Sequence, residues 1–238
     1  MDKNKLKIIA EIGINWNGEF DKFEEMIRQC KVGGADYVKF QWYDAIKLFG
    51  QRNGQSRLKF ELSKEQILTL ESICNAYGIE WGISVFDRSR FDFVHNKAKP
   101  SFIKIASRTL SKDKKLVDYM RFGDLPLFAS LGMISFDELP SDIVTNMRFF
   151  NCISEYPTSV LSLKKFNYDD KIVGLSDHSL GIGYALHNIS LGANWIEKHF
   201  TLNKSSSGRD HPGSMDVRDL RNLREIGDEI FMARRFSK

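Results

Sequence analysis

Hydrophobic and polar positions along the chain alternate on two length scales. Eight short apolar runs, most of them rich in β-branched or aromatic residues, are separated by longer stretches with helical spacing of apolar positions. Continuous apolar runs of this kind are typical of parallel strands that are covered on both faces. We therefore predict strands at residues 7–14, 37–41, 80–86, 102–106, 125–131, 148–154, 171–175 and 194–201.

The longer stretches between these runs predict helices. Gly33 ends the first one, whose apolar face comprises Phe23, Met26, Ile27 and Cys30. Two capping-box patterns mark further helix starts, at Ser63 with Gln66 and at Ser135 with Glu138. Additional helices are predicted at residues 88–97, 114–122, 161–166 and 184–191, and a last one after Asp216.

Eight strand–helix pairs in 238 residues favour an α/β fold, a single (β/α)8 TIM barrel over residues 1–238 with no second domain. The alternative is an open, doubly wound sheet, for which we expect a glycine-rich GxGxxG turn after the first strand. The chain has GINWNG there, so this alternative is weaker. Two long connections, residues 42–62 and 202–216, are predicted to be lids or binding loops.

Composition narrows the class of protein. Lysine and arginine number 35 against 31 aspartates and glutamates, which gives a formal net charge of +4 with no cluster that calls for nucleic acid or a membrane surface. The mean hydropathy is −0.33, and Glu11 interrupts the first apolar run too early for a signal peptide. Cys30, Cys74 and Cys152 form no CxxC pair, which argues against a disulfide framework. We expect a cytoplasmic enzyme or binding domain.

In a (β/α)8 barrel the carboxyl ends of the strands face the active site, so polar residues at those ends are candidates for chemistry. Lys39 and Lys104 lie inside apolar strands, where a buried ammonium is unfavourable unless an anion pairs with it. His178 and His199 end the neighbouring strands seven and eight, and neutral imidazoles placed in this way can share one divalent ion.

Each of these residues also has a structural interpretation. The lysines can be core residues paired with Glu11 or Glu197, and each histidine can be a hydrogen-bonded core side chain. Two lysines, several hydroxyls and two histidines at one barrel mouth together favour a site for an anion and a metal ion.

Five segments carry a resemblance to a known family: IAEIGINWNG, GADYVKFQ, EYPTS, VGLSDHS and IEKHFTL. From about residue 9 to residue 215 the chain resembles the barrel domain of the sialic acid synthase (N-acetylneuraminate synthase) family. The resemblance implies condensation of phosphoenolpyruvate with a sugar aldehyde, an aminosugar such as N-acetylmannosamine. The products would be a nonulosonic acid and inorganic phosphate.

The resemblance also implies roles for individual residues. His178 and His199 match ligands of a divalent cation, Mn²⁺ in first place, with Mg²⁺ or Co²⁺ as alternatives. Glu11, Lys39 and Lys104 match the catalytic positions, with the lysines on phosphoenolpyruvate. Substrate-binding roles are implied for Gln41, Ser84, Ser107, Ser130, Ser154, Tyr156, Ser176 and Asp210. A homodimer or a complex with another protein is expected.

The chain departs from the family pattern at several positions. Trp16 replaces a histidine, Val85 follows Ser84 where a threonine is usual, and Thr109, beside Arg108, stands where a glutamate is expected. The family's C-terminal antifreeze-like domain is not expected in this chain. These departures motivate one alternative, a non-catalytic barrel that binds phosphoenolpyruvate or sugar or pairs with a full-length synthase. A further alternative is a metal-dependent aldolase or isomerase that uses the same barrel mouth.

Overall fold

Eight parallel strands close into one barrel, in which neighbours along the chain are neighbours in space and β1 pairs with β8. The computed structural model describes residues 5–236. The strands are β1 (Lys7–Glu11), β2 (Tyr37–Trp42), β3 (Glu80–Val85), β4 (Phe102–Ile105), β5 (Leu127–Ser130), β6 (Arg148–Cys152), β7 (Ile172–Asp177) and β8 (Trp195–His199). All eight predicted strands are present, and the (β/α)8 barrel is confirmed.

Helices occupy most of the connections. They are α1 (Lys22–Val32), α2 (Ala45–Gln55), α3 (Lys64–Tyr77), α4 (Arg88–Asn96), α5 (Ser107–Lys112), α6 (Lys114–Met120), α7 (Ser141–Asn146), α8 (Gly183–Leu191) and α9 (Val217–Phe236). Even α9, the longest described helix, lacks the apolar stretch that a bilayer crossing requires, and none of the other described helices has one.

The two predicted capping boxes are both formed, but they begin different structures. The Ser63–Gln66 capping box is formed at the start of α3. The Ser135–Glu138 box is also formed, but it opens only a 3-10 turn over Phe136–Glu138, and α7 begins after Pro140. Proline at that point removes an amide donor and fixes φ, so the turn cannot run on as one regular helix.

Two predicted connections are wrong in their secondary structure. The helix at residues 161–166 is replaced by a 3-10 turn at Val160–Ser162; Val160 is 80% and Leu161 is 93% exposed, and Phe166 alone of the segment is partly buried against the larger core, so no continuous apolar face forms. The predicted loop at residues 42–62 contains α2 instead. Asp44 caps α2 by accepting a hydrogen bond from the Lys47 amide (2.8 Å), and Gly50 (φ 78°) interrupts its helical pattern.

Two separate cores hold the barrel. The larger lies between the strands and the surrounding helices, and the smaller fills the lower barrel interior. We call this smaller cluster the aromatic layer; its members are Ile9, Tyr37, Phe102, Phe128, Phe150, Val173 and Trp195. The rings of Phe102 and Phe128 meet edge to face, with centroids 5.2 Å apart. This layer closes the barrel bottom and leaves the polar strand ends at the opposite mouth.

Candidate active site

Four ionisable side chains form a second layer inside the barrel, directly above the aromatic layer. Glu11, Lys39, Lys104 and Glu197 each stand two residues after a member of the aromatic layer on the same strand, and we call them the charged layer. Side chains two apart on a strand point to the same face, so the sequence alternation places both layers in the interior. All four are at most 7% exposed.

The charged layer consists of two ammonium groups and two carboxylates in mutual contact. Lys39 Nζ lies 2.6 Å from Glu11 Oε2 and 3.7 Å from Glu197 Oε1. Lys104 Nζ donates to Glu197 Oε2 and also lies 3.9 Å above the centre of the Phe150 ring. Glu197 therefore joins the two lysines. The layer carries no net charge when all four groups are ionised.

Burial and ion pairing shift the pKa values of these groups in opposite directions, and the balance differs from one group to the next. Burial disfavours the Lys39 ammonium, but attraction to Glu11 and Glu197 outweighs it, and the pKa of Lys39 is raised. Burial, together with repulsion from Lys39, lowers the pKa of Lys104 despite its contact with Glu197. Burial also opposes ionisation of Glu197, yet the two lysines prevail and lower its pKa. The structural interpretation of the lysines as paired core residues thus agrees with their contacts.

A cavity of about 70 Å³ opens above the charged layer. We call it the central cavity; besides the charged layer it is lined by Gln41, Ser84, Phe86, Ala106, Ser107, Ser130, Cys152, Tyr156, Ser176, His178 and His199. Gln41 Nε2 donates to Glu11 Oε1 (2.6 Å), and Lys39 Nζ donates to Ser84 Oγ (3.2 Å). Hydroxyl and ammonium donors around a buried space of this kind suit a small anion.

The two predicted metal-binding histidines lie side by side at the cavity wall, with ring centroids 5.7 Å apart. The Nδ1 atom of His178 lies 2.8 Å from the Ile153 carbonyl oxygen, so Nδ1 carries the proton and Nε2 keeps its lone pair. Burial, reinforced by repulsion from His199, lowers the pKa of His178 to about 4. The Tyr156 ring packs on the His178 ring at 4.0 Å.

A divalent cation fits this pair of imidazoles in part. The lowered pKa keeps His178 neutral near pH 7, and the contact of its Nδ1 with the Ile153 carbonyl oxygen leaves Nε2 free for a cation. The buried His199 Nδ1 has no hydrogen-bond partner among the described residues. Across residues 5–236, no group of three or more histidine, cysteine, aspartate or glutamate side chains is arranged to hold a metal ion. Water or substrate oxygens would have to complete the coordination of a cation held here.

Glu11 and His199 approach each other where the backbone turns at Gly13. Gly13 has φ 53°, and a Cβ atom there would lie 3.2 Å from Glu11 Oε1 and 3.2 Å from His199 Cε1. A side chain at this position would therefore crowd both groups in a conformation that L-residues rarely adopt. The glycine in GIN lets the carboxylate and the imidazole share one corner of the cavity.

A second buried ion pair holds the two histidine-bearing strand ends together. Lys198 Nζ lies 2.9 Å from Asp177 Oδ2 and donates to the Ser179 carbonyl oxygen (2.6 Å). Each partner is at most 2% exposed. Asp177 precedes His178 and Lys198 precedes His199, so this pair fixes the relative position of the imidazoles.

All but two of the predicted site residues line the central cavity. Ser154 is exposed, and its hydroxyl lies beside Gly132, close to Cys152 and Ser107. Asp210 is buried in the connection after β8 and lines a neighbouring cavity instead. The structure therefore brings together the predicted catalytic and metal-binding side chains. It places two of the predicted substrate-binding residues, Ser154 and Asp210, outside the central cavity.

The positions that depart from the family pattern lie outside the central cavity. Trp16 is buried against Phe23, with ring centroids 5.2 Å apart. Thr109 is buried in α5. Arg108, the neighbour of Thr109, donates to the Leu48 carbonyl oxygen (2.8 Å) and does not line the central cavity. Val85 packs in the outer core.

Four residues that line the central cavity were not predicted as site residues, and two of them, Glu197 and Cys152, carry ionisable groups. Glu197 contacts both lysines, and Cys152 lies 3.8 Å (Sγ to Nδ1) from His178. Glu197 stands two residues before His199 on the same strand, and this spacing alone places both side chains on one face. Burial raises the pKa of Cys152 to about 11, so its thiol is protonated and unreactive near pH 7.

Comparison with known proteins shows relatives over nearly the whole chain. The N,N'-diacetyllegionaminic acid synthase of Legionella pneumophila is 33% identical over 249 residues, which cover 91% of this chain and 69% of that protein. The human N-acetylneuraminate-9-phosphate synthase is 30% identical and covers 91% of this chain and 67% of its own length. The chain thus spans about two thirds of these relatives.

A solved structure has the same fold as this chain. The crystal structure of N-acetylneuraminic acid (sialic acid) synthetase from Leptospira borgpetersenii, in complex with citrate, superposes with a TM-score of 0.88 at 24% identity, covering 97% of this chain and 85% of that chain. The sequence model of the NeuB family matches residues 26–234. The expected enzyme class and the resemblance to sialic acid synthases are confirmed. The chain belongs to the NeuB family.

Proposed function

We propose that this protein condenses phosphoenolpyruvate with a sugar aldehyde, an aminosugar like N-acetylmannosamine, to give a nonulosonic acid and inorganic phosphate. The observation that carries the proposal is the charged layer beside the imidazoles of His178 and His199 at one barrel mouth. Relatives of the chain are named synthases of N,N'-diacetyllegionaminic acid, N-acetylneuraminate 9-phosphate and pseudaminic acid, which supports nonulosonic acid synthesis as the class of reaction.

Phosphoenolpyruvate would bind where its carboxylate and phosphate meet Lys39, Lys104 and the serine hydroxyls of the cavity wall. The lysines are already paired with Glu11 and Glu197, so an incoming anion competes with these carboxylates for the ammonium groups. A divalent cation held by His178 and His199 would offset the negative charge and polarise the aldehyde oxygen as a Lewis acid. We propose Mn²⁺ as that ion.

The bond changes follow from the substrates. The C3 carbon of phosphoenolpyruvate attacks the aldehyde carbon, and the new C–C bond leaves a cationic C2. The aldehyde oxygen takes the electron pair of the carbonyl bond and becomes an alkoxide. Water adds to C2, and the proton that this water loses neutralises the alkoxide. The C–O bond to phosphate then breaks as the C2 hydroxyl gives up its proton, which leaves a keto group at C2 and releases phosphate. Glu11 is our candidate for accepting the proton of that water, since its carboxylate adjoins both Lys39 and the His199 corner. Tyr156 and Gln41 would contact the sugar.

Phosphate release from phosphoenolpyruvate with Mn²⁺, over a panel of aminosugars and simple sugar aldehydes, tests this proposal. We expect release that requires both the metal and one class of sugar, and we expect His199→Ala to abolish it. His187→Ala, an exposed histidine on α8, is the matched control and should leave turnover unchanged.

Release in His199→Ala at the wild-type rate and metal dependence would contradict the assignment. Binding of phosphoenolpyruvate without release, for every sugar, would establish the non-catalytic barrel instead. Turnover of a sugar without phosphate release would favour the aldolase or isomerase alternative.

Three further expectations remain predictions. The protein is proposed to work as a homodimer or in a complex with another protein, to act in the cytoplasm, and to need no nucleic acid or membrane partner. Sedimentation equilibrium of the purified chain, with and without a co-expressed full-length relative, measures the first of these.

A further inference from the structure

A second, larger cavity lies beside the mouth of the barrel. Its volume is about 360 Å³, and it is enclosed by the connections that follow β1, β2 and β8. We call it the outer cavity; its lining residues include Asn17, Ser56, Arg57, Lys59, Ser207, Arg209 and Asp210. All three connections leave the carboxyl ends of their strands, so this cavity is on the same face as the central cavity.

The outer cavity is rich in positive charge. Arg57, Lys59 and Arg209 line it, and Asp210 is the one carboxylate among its lining residues. Asp210 pairs with Arg209, whose Nε lies 3.3 Å from Asp210 Oδ1. Arg57 and Lys59 have no carboxylate partner among residues 5–236; their cationic groups lie over the rings of Phe49 and Phe60, at 4.4 Å and 4.9 Å. Two of the three cationic side chains that line the cavity therefore have no ion-pair partner among the described residues.

The outer cavity adjoins the imidazole side of the central cavity. The Arg209 guanidinium carbon lies 5.0 Å from the centre of the Tyr156 ring. The same ring packs on His178, with centroids 4.0 Å apart. Tyr156 thus contacts both Arg209 of the outer cavity and one of the histidines that we propose to hold the metal ion near the aldehyde.

Hydrogen bonds fix the wall that the connection after β8 contributes. Asn15 Nδ2 donates to the Phe200 carbonyl oxygen (2.8 Å) and to Ser214 Oγ (2.9 Å), and Ser214 Oγ donates to the Asp210 carbonyl oxygen (2.6 Å). The segment that carries Arg209 is therefore tied back to the end of β1. A cationic wall held in place in this way binds an anion with less loss of conformational entropy.

We propose that the outer cavity binds a phosphate group on the acceptor sugar, at the end remote from the aldehyde. This inference rests on the proposed function for the position of the aldehyde. Two unpaired cations, a guanidinium at the Tyr156 boundary, and the hydroxyl and amide groups of Ser56, Ser207 and Asn17 match a dianion with several acceptor oxygens. The substrate class is a phosphorylated aminosugar.

Isothermal titration calorimetry and turnover test this inference separately. The probes are N-acetylmannosamine 6-phosphate and N-acetylmannosamine, titrated into the wild-type protein and into Arg57→Gln and Lys59→Gln. Lys115→Gln, at an exposed position on α6, is the matched control that removes the same charge elsewhere. We expect tighter binding of the phosphorylated sugar and a loss of about tenfold in its affinity in each cavity variant, with no change in Lys115→Gln.

In turnover, kcat/KM should fall by about tenfold with the phosphorylated sugar in Arg57→Gln and stay constant with the unphosphorylated one. Equal affinity for the two sugars, or cavity variants that match the control, would overturn the inference. Displacement of the bound sugar phosphate by phosphoenolpyruvate would also overturn it, since the cavity would then serve the other substrate. A different result is Arg57-dependent binding of the sugar phosphate to a protein that releases no phosphate from phosphoenolpyruvate with any sugar. That result would support the outer-cavity site and contradict the proposed function.

Discussion

The aromatic layer and the charged layer lie one pleat apart in the same barrel and share strands β1, β2, β4 and β8, but one consists of apolar side chains and the other of ionisable ones. On β4, Phe102 packs edge to face on Phe128, and two residues later Lys104 is paired with Glu197. The lower layer is stabilised by burial of apolar surface, which has no directional demand. The upper layer is stable only as a set, because each buried charge depends on its partner. The lower layer of the barrel therefore contributes to the stability of the fold, and the upper layer carries the groups that we propose for the chemistry.

The two layers meet at Phe150. Its ring belongs to the aromatic layer, and the Lys104 ammonium lies 3.9 Å above it. Such a contact favours a desolvated cation by about 2 kcal/mol. The aromatic layer thus contributes to holding one of the charges above it, and substitutions in either layer test how far the two are independent.

The largest effect is expected from Glu197→Gln, which breaks the charged layer at its centre. Lys104 loses its paired carboxylate and Lys39 loses one of two, so the free energy of unfolding should fall by about 3–5 kcal/mol. Urea denaturation measures this loss. Glu225→Gln, at an exposed position on α9, is the control and should change stability by less than about 0.5 kcal/mol. Equal urea midpoints for the two variants would show that the pairing contributes nothing.

Phe128→Ala breaks the aromatic layer without removing a charge. The ring is buried against Phe102, Phe150 and Trp195, so a cavity in its place should lower the free energy of unfolding by about 3–5 kcal/mol. Calorimetry of the folded variant should show an unchanged affinity for phosphoenolpyruvate. A marked loss of that affinity would mean that the two layers are coupled and that depth does not separate their roles.

Gly82→Ala overfills the aromatic layer at β3, the one strand that contributes no side chain to it. A Cβ atom at Gly82 would lie 2.2 Å from Phe102 Cζ, so the ring must move, at about 1–3 kcal/mol of unfolding free energy. Gly183→Ala, with no atom within 4 Å of its added methyl group, is the matched control. Partial rescue of Gly82→Ala by Phe102→Leu would identify the clash; a rescue that fails would point to backbone effects.

The smallest effect is expected outside both layers. Ser63→Ala removes the capping box of α3 and should lower the free energy of unfolding by about 1 kcal/mol. Because α3 contacts neither layer, the loss should add to that of Phe128→Ala within about 0.5 kcal/mol. Thermal unfolding of the two single variants and the double variant measures this sum, and non-additivity would show that the helix shell and the barrel interior fold as one coupled unit.

The sequence by itself determined the elements and the face on which each side chain lies. Period-two spacing along each strand set Phe102 beneath Lys104 and Trp195 beneath Glu197, because alternation is a local property of extended backbone. Eight such runs with helices between them sufficed to predict the barrel, since right-handed crossovers leave few other arrangements. The candidate histidines followed from the same reasoning, at the ends of neighbouring strands.

Tertiary structure alone decided which charges meet and which apolar segments fold into helices. Lys104 and Glu197 are 93 residues apart, and they touch because barrel closure brings β4 and β8 to one axis. Val160 and Leu161 are exposed, so the segment there forms only a 3-10 turn, while α2 forms where Asp44 caps its start. Arg57 and Arg209 line one cavity for the same reason. Local patterns fix elements, whereas pairing across the barrel depends on closure of the whole sheet.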